Sequence, residues 1–118
     1  MECIVMDQLP KEVIITKYST SYGELITGQT LEFGRLRMAK GTGAVEHAHP
    51  NEQVVYVMSG KLRVTAEGKV SELTPGMAFH ALPNILHKVE ALEDTQVISV
   101  KSMIDGVGHK IYGVGHRT

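Results

Sequence analysis

The apolar positions of this chain come in short, β-branched runs, each closed off by glycine, proline or asparagine. Residues 11–16, KEVIIT, read as a strand because Val and Ile suit a pleated, half-buried surface. Residues 17–29, KYSTSYGELITGQ, are polar and turn-prone around Gly23 and Gly28, which predicts a loop with a short strand inside it. In residues 30–39, TLEFGRLRMA, Leu31 and Phe33 keep one parity and Leu36 and Met38 the other, so a bulge is expected at Gly34. QVVYVMSG runs into KLRVTAEG, with Ser59 and Gly60 predicting a tight hairpin. Further runs lie in KVSELTPG, where Pro75 and Gly76 predict a turn, in AFHALPNILH and in KVEALEDTQVISVKSM. Runs recurring every eight to twelve residues or so between turn signals are the pattern of an all-β sandwich or barrel, and no segment reads as a helix.

Strand parity sorts these positions by face. Leu36, Met38, Val55, Val57 and Val89 are expected to line the barrel, which makes its interior largely apolar. Tyr56 falls on the face opposite Gln53 and reads as a packing residue. Arg35 and Arg37 alternate along one strand and read as a solvated face, with a bidentate clamp on a substrate carboxylate as the other reading.

Composition narrows the classes. A chain of 118 residues makes one domain, long enough to bury a core without disulfides. The single cysteine, Cys3, has no partner in the chain, so nothing requires an oxidising compartment. The balance of 12 basic against 13 acidic residues, with no tryptophan, two phenylalanines and four tyrosines, argues against nucleic acid or an anionic membrane as partner. No apolar run could span a bilayer, and the start, MECIVMDQLPKE, lacks the pattern of a signal peptide. A soluble, cytoplasmic protein acting on a small molecule is expected.

The candidate chemistry is concentrated in residues 41–60, GTGAVEHAHPNEQVVYVMSG. In an extended segment His47 and His49 point the same way and can share one metal ion, with Gln53 close by and His87 further along. Imidazole suits zinc, iron, copper or nickel, and a carboxamide oxygen suits harder ions such as manganese.

This pattern resembles the first motif of the cupins: a glycine, five residues, His-x-His, three residues, an acid or amide, six residues and a glycine. Here it is Gly41, His47, His49, Gln53 and Gly60. The second cupin motif resembles TPGMAFHALPNILH, with Pro75, Gly76, Pro83, Asn84 and His87. The resemblance extends over residues 30–101 or so. It implies an all-β, double-stranded β-helix or jelly-roll barrel. It also implies one divalent transition metal ion (Fe, Mn, Zn, Ni or Cu) held by His47, His49, Gln53 and His87. The commonest cupin has glutamate where this chain has Gln53, and the neighbouring Glu52 faces the other way by parity. An all-neutral ligand set leaves the ion a stronger Lewis acid that favours anionic, chelating substrates.

Within the superfamily, HPNEQVVYVMSG and LHKVEALED look similar to ketonases that linearise unsaturated uronates in pectin and alginate breakdown, and the amide variant also occurs in polyketide-related cupins. Those ketonases are expected to carry an acid on the strand after the last histidine, where TQVISVKSM offers Ser99 and Lys101. Ser99, Lys101 and His80 are the candidate catalytic residues, with His80 a base at the barrel mouth or a half-buried residue of the outer face. A metal-bound water is the other candidate base.

The expected function is a metal-dependent enzyme, a dioxygenase or a Lewis-acid isomerase, lyase or cyclase, acting on an oxygenated or carboxylate-bearing metabolite. The alternatives are a non-catalytic metal- or sugar-binding module and a storage-type structural protein. Residues 1–29 are expected to form an N-terminal strand and loop at a homodimer contact, because the strand around VIIT is an edge that needs covering. Residues 30–102 form the barrel core and residues 103–118 a tail. Within that tail GVGHKIYGVGHRT repeats Gly-Val-Gly-His, placing His109 and His116 in a flexible or subunit-swapped extension, with a lid or second metal site as the other reading.

Overall fold

The computed structural model describes residues 1–15 and 20–110. Its strands are β1 (Glu12–Ile15), β2 (Thr20–Thr27), β3 (Leu31–Met38), β4 (Gly43–His47), β5 (Gln53–Ser59), β6 (Leu62–Ala66), β7 (Lys69–Leu73), β8 (Ala78–Ala81), β9 (His87–Ala91) and β10 (Thr95–Ser102). They form a six-stranded sheet of order β1-β2-β3-β10-β5-β8 and a four-stranded sheet of order β4-β9-β6-β7. Every pairing is antiparallel. Among the described residues the remaining regular element is one turn of 3₁₀-helix at Met6–Gln8. Among the described residues no helix is long and apolar enough to cross a membrane.

The two sheets bury a shared core. Ile14, Leu25, Leu36, Val55, Val57 and Val97 come from the larger sheet, and Leu62, Val64, Leu73, Val89 and Ala91 from the smaller. Alternation produces this directly: in β5, Val55 and Val57 are buried while Val54, Tyr56 and Met58 are exposed. The arrangement is the jelly-roll expected, and the turn at Pro75 and Gly76 is present, closed by Met77 N–H donating to Thr74 O at 3.0 Å.

Four expectations need correction. Residues 17–29 hold an eight-residue strand, β2, which pairs with β3 from Tyr22 to Thr27, so the first 29 residues contribute to the barrel wall. Gly60 does not close a hairpin, because β5 and β6 lie in different sheets and the chain crosses between them there. At φ +89°, a side chain at Gly60 would stand 2.4 Å from Asp94 O. No bulge occurs at Gly34: the β3 ladders run unbroken through it, and Glu32, Gly34 and Leu36 all face inward. Residues 103–110 are not a free tail, since Asn51 Nδ2 donates to Ser102 O (2.7 Å) and Val107 O (2.8 Å) and His109 is buried. His116 lies outside the described residues.

Arg35 and Arg37 converge on Glu24, at 2.7 and 3.0 Å, on the outer face of the sheet. Glu24 is wholly buried beneath them, and Asp7 meets Arg35 from outside. Hydrogen bonds from Arg37 and then Arg35 hold the Glu24 carboxyl down to about 2. Both arginines are therefore committed to the fold and not to a substrate.

Candidate metal centre

Three histidines reach the same point from two neighbouring pieces of backbone. His47 ends β4 and His87 begins β9, and the two are partners across that ladder. The register shifts between Ala44 and His47, which turns the strand end inward. His49 follows one residue beyond Ala48. All three are buried, and their ligating nitrogens lie within 4.8 Å of one another.

The hydrogen bonds around the rings fix the tautomers. His47 Nδ1 donates to Val45 O (2.7 Å), His49 Nδ1 to Asn51 O (2.8 Å) and His87 Nδ1 to Ile85 O (2.9 Å). In each neutral imidazole Nε2 is therefore the nitrogen that would ligate a cation. Burial, then the charge of Lys101 and of His87, pushes His49 down to about 3. Burial lowers His87 as well, against a backbone hydrogen bond that favours its charged form. Ligands that are neutral before an ion arrives need lose no proton on binding it.

Gln53 opens β5 beside this cluster, and its Oε1 lies 3.2 Å from His49 Nε2. With Nδ1 of His49 already donating, two acceptors face each other across that gap, which a cation between them would stabilise. Three imidazole nitrogens and one carboxamide oxygen thus fit a transition metal ion of the kind expected.

The sequence candidates separate cleanly. Ser99 and Lys101 face inward from β10 and line the same cavity as His47, Gln53 and His87. That cavity is about 80 Å³, and its apolar wall includes Leu36, Met38, Val55, Phe79 and Val89. Lys101 is 3% exposed, and burial lowers its amine to about 8 despite the opposing charge of Glu32. His80 stands apart from the histidine cluster: it pairs with the outward-facing Val54, is exposed, meets Glu52 at 2.5 Å and lines only the wider groove beside the cavity. A wider groove of about 310 Å³ adjoins the cavity, sharing Phe79 and His87 as lining.

Two buried polar residues of the site were not anticipated, Glu32 and the inward role of His109. Glu32 Oε1 accepts from His109 Nδ1 (2.7 Å) and from His109 N–H (2.6 Å), while Oε2 accepts from Thr27 Oγ1 (2.5 Å). Burial opposes the charge on Glu32, but the hydrogen bonds from His109 and Thr27 outweigh it and bring the carboxyl to about 2. Burial also keeps His109 neutral-leaning, lowering it against the pull of Glu32. The available signal was the even parity of Leu36 and Met38, which extends inward through Gly34 to Glu32.

Fold and centre together define a cupin: the cupin domain model matches residues 34–101, more than half the chain, and the protein belongs to that family. More particularly, it is 34% identical over 64 residues to the pectin degradation protein KdgF of Dickeya dadantii (strain 3937), covering 53% of this chain and 58% of that one. The match thus spans little more than half the length of that relative. The solved KdgF of Halomonas sp. superposes with a TM-score of 0.74 at 24% identity, covering 86% of this chain and 93% of that one. An RmlC-like cupin from Shewanella frigidimarina NCIMB 400 gives 0.73 at 24% identity, covering 84% and 87%. At that identity the two structures establish the fold alone.

Proposed function

We propose that this cupin is a metal-dependent enzyme of the isomerase type, moving a proton on a small, carboxylate-bearing product of polyuronate breakdown. The observation that carries this reading is the buried Lys101 amine in the same cavity as His47, His87 and Gln53. An ion held by an all-neutral ligand set would leave the chamber with net positive charge, Glu32 offsetting only the Lys101 amine, and a substrate carboxylate would balance it. The likeness to a pectin degradation protein supports a uronate as the source of that carboxylate.

His47, His49 and His87 through Nε2, and Gln53 through Oε1, would hold one divalent Fe, Mn, Zn, Ni or Cu ion, which when bound polarises a carbonyl or enol oxygen. Lys101 supplies the proton transfer. With its amine near 8, Nζ can give a proton to C4 of the unsaturated ring and recover one from the anomeric hydroxyl, as the bond between C1 and the ring oxygen breaks. The net change is cyclic enol ether to open-chain ketone and aldehyde, with no oxidant. Leu36, Met38 and Val55 keep water from the reacting atoms. A cavity of about 80 Å³ takes the reacting end of such a substrate, and the adjoining groove of about 310 Å³ receives the rest.

The test is turnover of a 4,5-unsaturated uronate by metal-loaded protein, followed by NMR. Ketone should form faster than in buffer, and Lys101→Met should lower kcat by about a hundredfold or more at unchanged metal content. Thermal stabilisation by the uronate without turnover would overturn the enzyme reading and leave a non-catalytic metal- or sugar-binding module.

A homodimer belongs to the same proposal. β1 is an edge of the six-stranded sheet with Val13 exposed, which suits pairing with a second copy. Light scattering showing a monomer at assay concentrations would dismiss it.

A further inference from the structure

We propose that Glu32, His109 and Ser99 are positioning residues that set which end of the Gln53 carboxamide faces the three histidines. This rests on the metal-site reading above and adds to it the device that makes an amide usable as a ligand. A glutamate at this position has two equivalent oxygens, so either orientation ligates. A glutamine has one oxygen and one NH₂, and only the oxygen can bind a cation. Something must choose between them.

Four linked groups make that choice. Glu32 Oε1 accepts from His109 Nδ1 at 2.7 Å, His109 Nε2 lies 2.7 Å from Ser99 Oγ, and Gln53 Nε2 donates to Ser99 Oγ at 2.9 Å. Gln53 Oε1 is then left on the side of His49, at 3.2 Å from Nε2. The direction of every proton follows from the far end. A carboxylate only accepts, so His109 must carry its proton on Nδ1. Burial disfavours a second proton on the ring, so Nε2 is an acceptor and receives the Ser99 hydroxyl hydrogen bond. The Ser99 oxygen, its proton spent, accepts from the amide nitrogen.

The opposite polarity fails at Glu32. Had Gln53 turned its oxygen to Ser99, the hydroxyl would donate to it and His109 would have to donate from Nε2: a neutral ring would then set its Nδ1 lone pair against the carboxylate, and burial opposes the doubly protonated ring. Burial makes that contact expensive: Glu32, Ser99 and His109 are 4%, 1% and 5% exposed. The Glu32 carboxylate is itself held in place by Thr27 Oγ1 and by the His109 backbone N–H. Asn51 pins the segment that delivers His109, through Ser102 O and Val107 O. Gly108 is needed in that segment because a side chain there would meet Glu32 Oε1 at 2.6 Å.

The experiment measures zinc affinity by competition with a chromophoric chelator, in wild type, Ser99→Ala, Gln53→Glu and the Gln53→Glu/Ser99→Ala double variant. Ser99→Ala should weaken zinc binding by tenfold or so, the range seen when a residue behind a metal ligand is removed. In the Gln53→Glu background the same change should cost less than about threefold, since a carboxylate needs no orienting. An equal loss in both backgrounds would mean that Ser99 only supports the fold, and would overturn the proposal. So would a Ser99→Ala protein that binds zinc like the wild type, which leaves the metal site itself intact. A wild-type protein that takes up no zinc overturns the metal site and the relay together.

Discussion

His47 and His87 are partners across the β4–β9 ladder, with ring centroids 4.5 Å apart. Two candidate ligands are therefore held by hydrogen-bonded backbone, and His49 joins them from the following loop, 5.4 and 5.0 Å from the other two rings. Preorganisation of this kind lowers the ordering cost of binding.

That ladder depends on close approach at its far end. A side chain at Gly43 would stand 2.1 Å from Val89 O, so Gly43→Ala must push β4 away from β9. A cost of about 1–3 kcal/mol in unfolding free energy is expected. Zinc affinity should fall with it, because the His47–His87 spacing is set by the same ladder. Lowered stability at unchanged affinity, read by urea unfolding and chelator competition, would show that the two ligands are positioned independently of Gly43.

The pH profile of turnover should report Lys101. Its amine near 8 is protonated below that value and neutral above it. If the ammonium form delivers the proton, kcat falls as pH rises towards 8, at lower pH once an ion is bound because its charge favours the neutral amine, and Lys101→Met removes that limb along with most of the rate. A profile flat from pH 6.5 to 9.5 would exclude Lys101 as the donor.

Acid should weaken the fold through Glu24. Its carboxyl sits at about 2 in the folded protein against 4.5 ordinarily, so the unfolded chain binds the proton first as pH drops. The stabilisation is complete above about 4.5 and is lost as pH falls towards 2. Glu24→Gln should lower the urea midpoint at pH 7, with the gap to wild type closing on acidification. A gap that persists at pH 2.5 would mean that packing, and not charge, is what the substitution removes.

Two neighbouring apolar residues should behave oppositely. Leu62 is 0% exposed in the shared core, whereas Met58 is 46% exposed on the outer face. Leu62→Ala should cost about 2–5 kcal/mol and Met58→Ala a few tenths of that scale or less, by chemical denaturation. Equal costs would place Met58 in a contact formed by a second copy.

Legibility from sequence tracks how local each signal is. His47 and His49 lie two residues apart in extended chain, so their shared direction follows from strand geometry alone, and Pro75 with Gly76 announces its turn. Inward Val55 and Val57 and outward Tyr56 follow from period two in the same way. The failures are where polar residues take inward positions. Glu32 breaks the rule that inner faces are apolar, so the apolar residues alone show Leu31 and Phe33 at one parity and Leu36 and Met38 at the other, which imitates a bulge at Gly34. Its hydrogen-bond partner His109 lies 77 residues away, beyond the reach of any local pattern. Ser99 and Lys101 were readable only through a family pattern, since the apolar Ile98 and Val100 beside them face outward. Gly60 misled for a different reason: a turn signal marks where the chain bends, not which sheet it enters next.

Strand β10 occupies the middle of the six-stranded sheet, with Val97 flanked by Leu36 on β3 and Val57 on β5. Until it inserts, β3 and β5 are open edges, each presenting unpaired backbone to any neighbouring chain. Among the described strands it is also the last in chain order. Folding of this barrel therefore belongs with the slow, high-contact-order class, on the scale of milliseconds to seconds. A nascent chain halted before Thr95 is exposed to aggregation and lacks Ser99 and Lys101. Insertion of the same strand that completes the sheet brings Ser99 and Lys101 to the cavity lined by His47, Gln53 and His87.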